Sequence, residues 1–459
     1  MRRLYIIMVS ALLPMAASAQ TLSLSLDECR ALAATNDPYV RNAQLDVLAA
    51  QAQKREALAE YFPTVSAMAV GYHSLNPLIK IGLNDILGNS DAANNIKMMV
   101  NETAPLYGIP TTYEAMQYGY GATVSVVQPI YAGGRIVSGN RLARLGIEAA
   151  LLQQSLQGRT TEAQVGEKYW LVVSLDEKAV TLARAKELLD TLCKDASSAF
   201  AAGVLTDAEM LQVRLKQSEL RSKEIQLRGG VRLAKMDLFN AIGVRYATVR
   251  GLQDGDGNPV PYIDDIALTD RVDSLLPPDT YWRPEEEIAA QTDESRLLAL
   301  QVEAKSLEKR MALGETLPQV GVGAMYGYGK YLGDGSCNGA VYAMVKIPIS
   351  DWGKTSQKLR RLEYQTEKAR NEQEYLDAQL VLRARQRWLA LTTAWEQYEV
   401  AKETVDLAAR EVSKLEAGFG AGLIPLSDLL QAQTSLRQGE DALIDSAIDY
   451  RKALEEYLR

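Results

Sequence analysis

Two periodicities divide the chain. Apolar residues recur every third or fourth position in Ala/Leu/Gln/Glu/Lys-rich segments at about 27–61 and 285–316, the spacing that gathers them on one face of a helix. Both segments end at a proline-marked corner, Pro63 and Pro318. After the second corner VGVGAMYGYG (320–329) alternates strictly, with Val320, Val322, Ala324, Tyr326 and Tyr328 against Gly321, Gly323, Met325, Gly327 and Gly329. Period two predicts a strand. YGYGATVSVVQ (118–128) does the same, with Tyr118, Tyr120, Ala122, Val124 and Val126 opposite Gly119, Gly121, Thr123 and Ser125. Strands at 65–72 and 340–347 complete two hairpins, the first with a loop of some 45 residues. Helical spacing then runs through 135–199 and 354–418, 65 residues each, or roughly 100 Å at about 1.5 Å per residue. Each long segment meets a glycine-containing turn and reverses into a shorter helix, at about 207–242 and 427–458.

The order of elements recurs because the sequence does. KREALAEYFPTV (54–65) and KRMALGETLPQV (309–320) share seven of twelve residues at an offset of 255. Farther on the offset is 219, pairing Pro129-Ile130 with Pro348-Ile349, Gly134 with Gly353, Phe200 with Phe419, Gly203 with Gly422, Leu211 with Leu430 and Gln212 with Gln431. The first copy therefore holds 36 extra residues between Val65 and Pro129. The expected organisation is a leader at 1–19, a first repeat at 20–243, a linker at 244–284 and a second repeat at 285–459. Arg2 and Arg3, an apolar run and Ala17-Ser18-Ala19 read as a secretory signal peptide with its cleavage site. No later stretch approaches the roughly 20 apolar residues of a membrane-spanning helix.

Composition narrows the function classes. With 50 Lys+Arg against 58 Asp+Glu the formal charge is -8, and removing the two leader arginines makes it -10. Phosphate contacts need clustered cations, so nucleic acid is not an expected partner. One histidine (His73) and three scattered cysteines (Cys29, Cys193, Cys337) offer no metal-ligand spacing. No nucleophile–base pair or phosphate loop is present, so neither enzyme activity, a cofactor nor a bound metal is expected. Asp254-Gly-Asp256-Gly-Asn258 spaces oxygens as a calcium loop does, but Pro259 stands where such loops need glycine, and a turn is expected. Met98-Met99, Met325 and Met344 read as packing rather than a soft-metal path. The informative bias is 22 Tyr against 4 Phe, because tyrosine favours boundaries between apolar and wet surroundings.

Strands of this length match the about 9–11 residues of a membrane strand. Four cannot close, and a barrel in lipid must, so one chain has to supply a share of an oligomeric barrel. Tyr72, Tyr118, Tyr120, Tyr326, Tyr328, Tyr331 and Tyr342 then stand where membrane-boundary girdles belong. The competing reading is a soluble hairpin pair with tyrosines at its edges. Helices so long have no core of their own and must pack side by side.

The duplication, the corners at Pro63 and Pro318, the junctions QPIYAGGR (128–135) and IPISDWGK (347–354), and the turns FAAGVLTDAEMLQ (200–212) and FGAGLIPLSDLLQAQ (419–433) together resemble the TolC-like outer membrane efflux protein family over essentially the whole mature chain. The resemblance implies a mainly α chain with membrane β. A homotrimer would form a 12-stranded outer-membrane β-barrel, four strands per chain, continued by a long periplasmic α-helical barrel. It further implies a passive conduit fed by an inner-membrane transporter through a periplasmic adaptor protein. Phe200, Gly203, Val204, Phe419, Gly422 and Leu423 would be adaptor-docking tips, Asp428 and Gln431 a pore constriction, and outer membrane lipid a further partner. Relatives can carry a second acidic residue where Gln431 stands and a basic one where Ile424 stands, which leaves one carboxylate ring, from Asp428. Ser427 and Asp428, like Thr206 and Asp207, are expected helix caps. The rival is a periplasmic coiled-coil adaptor or structural protein, which should lack membrane-length alternating strands.

Overall fold

The computed structural model describes residues 22–459 except Val204, Asp256, Asn258, 273–274 and 331–333, with the side chains of 83–84 also outside it. The expected leader, Tyr331 and part of the Asp254 turn therefore lie outside the described residues. In chain order the elements are β1 (Leu22–Leu24), α1 (Leu26–Asn36), α2 (Pro38–Ala59) and β2 (Thr64–His73), then β3 (Ile79–Gly82), α3 (Leu83–Ile86), α4 (Asp91–Thr103) and β4 (Thr112–Ala115). There follow β5 (Tyr118–Ala132), α5 (Arg135–Ala201), α6 (Asp207–Ile242) and β6 (Ile266–Leu268). The second half holds α7 (Glu285–Gln291), α8 (Asp293–Gly314), β7 (Gln319–Lys330), β8 (Ser336–Lys346), α9 (Lys354–Gly420) and α10 (Leu426–Leu458).

Two helix pairs correspond across the repeats to the residue. Both limits of α8 lie 255 positions after those of α2, and both limits of α9 lie 219 after those of α5. The long helices have 67 residues each. Where a single helix was expected over 27–61 and over 285–316, each copy instead breaks once, at Asp37 and Thr292, again 255 apart. Both residues are extended and cap the helix that follows: Asp37 Oδ1 accepts the Tyr39 amide at 2.7 Å, and Thr292 Oγ1 accepts the Ser295 amide at 3.3 Å. Pro38 sits in the first helical position, where a missing N–H costs nothing.

Two compact units cut across the repeats. Among the described residues, one comprises 22–47, 150–298 and 373–459, the other 48–149 and 299–372. In the helical unit Cys29 and Ala33 of α1 pack with Val165, Tyr169 and Val172 of α5 and with Leu238, Phe239 and Ile242 of α6. The linker enters this core through Ile263 and Ile266, and β6 pairs in parallel with β1. Asp270 joins the pieces, accepting from the Leu26 amide and from the Tyr169 hydroxyl, each at 2.7 Å. Burial raises the Tyr169 phenol and pushes the Cys29 thiol up to about 12, so both stay neutral.

The other unit holds an antiparallel sheet in the order β2-β5-β7-β8. The segment between β2 and β5, expected only as a loop, has structure of its own: β3 pairs with β4, and α4 is capped by Ser90. α4 buries Lys97 and exposes Ile96, Met98 and Met99, an inverted pattern that periodicity did not reveal. No helix among the described residues is long and apolar enough to cross a membrane.

Candidate functional site

The sheet sorts its residues by register. Paired residues share a face, so Ala122↔Tyr328, Val124↔Tyr326 and Val126↔Ala324 align with Val65↔Val126 and Ala67↔Val124 on one side and with Ala324↔Val341 and Val322↔Ala343 on the other. The result is one apolar face running across all four strands, carrying Tyr118, Tyr120, Tyr326 and Tyr328. Tyr120 and Tyr328 lie with ring centroids 6.2 Å apart. The opposite face holds glycines, Thr123, Ser66 and Ser125, whose hydroxyls meet at 2.9 Å, and Met68, Met325 and Met344.

Tyr72 pairs with Gly119, and Tyr342 with Gly323. These two tyrosines are thus set on the small-residue face, away from the other four. Alternation assigns faces strand by strand, and only the register relates one strand's faces to the next.

Near the helical ends of the strands, sequence reading missed a second aromatic group. A bulge between Pro129 and Tyr131 shifts β5 by one residue, so that Tyr131 pairs with Val320 and joins the apolar face. Trp352 is 98% exposed and Ile349 95%. Trp352 has φ 56 where its repeat counterpart Gly133 has φ 63, a conformation costly for a side chain with Cβ. The usable signal was a tryptophan standing where the other copy has glycine.

The tips lie in the helical unit. Gly203 and Gly422 turn the chain with φ 77 and 72, and each donates its amide to the phenylalanine three residues earlier, Phe200 or Phe419, at 2.9 Å. Val204 lies outside the described residues. Leu205, Met210 and Val213 of the first tip and Phe419, Leu426, Leu429 and Leu430 of the second share one apolar cluster. Phe200 is 42% exposed and Leu423 81%.

The helix starts differ. Thr206 forms a reciprocal capping box with Glu209, and these hydrogen bonds hold the Glu209 carboxyl below the usual range. α10 begins after Pro425 with no side-chain cap. Ser427 and Asp428, expected as caps, lie inside its first turn, because Leu426, fully buried, begins the helix one residue earlier. Asp428 and Gln431 are exposed, three residues apart, on the side turned away from Leu426, Leu429 and Leu430. Ile424 folds back on its own hairpin, so close that a Cβ on Gly418 would stand 2.4 Å from its Cδ1.

With sheet and tips in place, the family comparison decides the assignment: the model described as "Outer membrane efflux protein" matches residues 30–244 and 296–456. The chain belongs to the outer membrane efflux protein family. Solved structures agree in fold. The chain resembles a membrane protein from Pseudomonas aeruginosa at TM-score 0.72 and 16% identity, covering 94% of this chain and 92% of that one. It resembles the Campylobacter jejuni CmeC outer membrane channel at TM-score 0.70 and 14% identity (94% and 84% covered). For VceC of Vibrio cholerae the values are 0.69 and 16% (94% and 95%). No curated protein sequence matches the chain. As an outer membrane efflux protein it acts in transport at the outer membrane, and its mainly helical chain with one four-stranded sheet is the family's fold.

Proposed function

We propose that three copies of this chain form a passive conduit through the outer membrane. Three four-stranded sheets close into a 12-stranded barrel, and the long helices assemble into a periplasmic tube. The observation that carries this reading is the sheet itself, with apolar residues continuous on one face, glycines and hydroxyl residues mixed with methionines, Tyr72 and Tyr342 on the other, and two open edges, β2 and β8. An open edge in hydrocarbon leaves every unpaired N–H and C=O unsatisfied, at several kcal/mol each, so the edges must find copies of each other.

The aromatic rings set the membrane depth. Tyr120 and Tyr131 share the apolar face of β5 eleven residues apart, which is about 36 Å along a strand and about 28 Å along a barrel axis at roughly 40° tilt. That matches an apolar band about 25 Å tall. Tyr118, Tyr120, Tyr326 and Tyr328 form the outer girdle, and Tyr131 with Trp352 the inner one. Tyr72 and Tyr342 face the lumen.

At the tips, Phe200, Gly203, Val204, Phe419, Gly422 and Leu423 dock a periplasmic adaptor that links the conduit to an inner-membrane transporter. Exposed Leu423 and half-exposed Phe200 give that contact its apolar anchors. Asp428 and Gln431 line the narrow end, three carboxylates per trimer attracting cations. Single-channel recording in a planar bilayer tests this: Asp428→Ala should raise conductance and weaken block by divalent cations. Unchanged conductance and block would remove Asp428 from the constriction.

A further inference from the structure

The duplication supplies a template for the contact between copies. The two offsets transfer strand register faithfully within the chain: Thr64↔Val127 in the first hairpin becomes Gln319↔Lys346 in the second, and His73↔Tyr118 becomes Tyr328↔Cys337. Under the same offsets β5 corresponds to β8, and β7 to β2. The junction between repeats inside the chain, β5 with β7, therefore has a counterpart that a single chain lacks, β8 with β2.

We propose that β8 of one copy pairs antiparallel with β2 of the next in the register copied from β5–β7. Thr123↔Gly327 becomes Tyr342 of one copy opposite Tyr72 of the next. Val124↔Tyr326 becomes Ala343 opposite Gly71, Ser125↔Met325 becomes Met344 opposite Val70, and Val126↔Ala324 becomes Val345 opposite Ala69. This deepens the trimeric-conduit reading and rests on it.

The transferred register keeps both faces continuous across the seam: Val345 and Ala69 both lie on the apolar face, and Tyr342, Tyr72, Met344 and Val70 all lie on the opposite face. A slip by one residue would turn the lipid face of one copy into the lumen face of the next. The register also accounts for the two tyrosines set apart from the rest, because they become cross-strand partners at each of the three seams, where aromatic pairs stabilise a sheet.

The strand bases show where the equivalence must yield. Within the chain Gly133 touches Gly314 so closely that a Cβ on Gly133 would stand 2.1 Å from the Gly314 carbonyl oxygen. Transferred to the seam, that contact falls between Trp352 and Ala59, which cannot approach as two glycines do. The seam opens at its base, and the Trp352 ring fills the gap against Leu58, Tyr61 and Phe62 of the next copy, all exposed in the single chain.

Cysteine pairing tests the register in intact trimers. In a Cys337→Ser background, which removes the exposed native thiol, Tyr72→Cys with Tyr342→Cys and Ala69→Cys with Val345→Cys are the in-register pairs. Val70→Cys with Tyr342→Cys is a two-residue slip on the same face. After copper–phenanthroline oxidation in membranes, a non-reducing denaturing gel should show both in-register pairs as covalent trimers, at least tenfold above the slipped pair and the single-cysteine chains. Directly opposed residues meet disulfide geometry and the slipped pair does not. Slipped linkage equal to or above in-register linkage, or no linkage in a chain that native mass spectrometry shows as a trimer, overturns the register. A monomer by native mass spectrometry for the parent chain overturns the conduit reading instead.

Discussion

The two hairpin tips are copies that reach the same turn by different means. Both reverse at a left-handed glycine and bury apolar side chains in one shared cluster. In the first tip the returning helix is held by polar groups, the reciprocal bonds of Thr206 and Glu209, while Asp207 at the first helical position is exposed. In the second the matching first position is Leu426, inaccessible to solvent, and no side chain caps the helix. Burial has replaced capping, and the replacement frees Ser427 and Asp428 from backbone duty. An acidic side chain that is not engaged in capping is left on the exposed side of its helix.

The largest test of this contrast is truncation at the matched positions. Leu426→Ala should destabilise the tip region by about 3 kcal/mol, the usual range for a buried leucine, whereas Asp207→Ala should cost no more than about 0.5 kcal/mol. Amide hydrogen exchange over 200–215 and 419–435 reads both, and similar losses at the two sites would erase the distinction. A smaller effect is expected at the caps: Thr206→Ala should cost about 1 kcal/mol, and Ser427→Ala almost nothing, measured the same way. The smallest is a pH effect. Because the folded Glu209 carboxyl lies below its unfolded value, its contribution is complete above the unfolded pKa of about 4.3 and is lost as pH falls through the folded value. Protection around Thr206 should therefore fall with acidification in that window while the start of α10 does not change in parallel. Equal acid sensitivity at both tips would show that the capping box is not what separates them.

The strands and long helices were legible because each obeys one period over many residues. Alternation located β5 and β7, and α5 and α9 begin at the expected Arg135 and Lys354. The breaks at Asp37 and Thr292 were not read, although Asp-Pro and Thr-Asp-Glu-Ser are both capping sequences, because a single interruption is weak against flanking helical periodicity. The β3–α4–β4 insertion escaped for the opposite reason. Its strands have 4 residues each, and its helix turns a lysine inward. Among the candidate site residues, Gly203 and Gly422 were marked by the need for positive φ, which both show, whereas Asp428 was marked only through the family resemblance of its turn. The division of the tyrosines between two faces was invisible, because it depends on which strand lies beside which and in what register.

The insertion itself hangs from a narrow neck. The ladder of β2 and β5 runs up to His73↔Tyr118, and immediately beyond it the Ser74 amide donates to the Gln117 carbonyl at 2.7 Å. The chain therefore leaves and re-enters the sheet one hydrogen bond apart, whatever lies between. For engineering, that makes the stretch from Ser74 to Gln117 a cassette: an antigen or binding peptide spliced there would have its ends already held together.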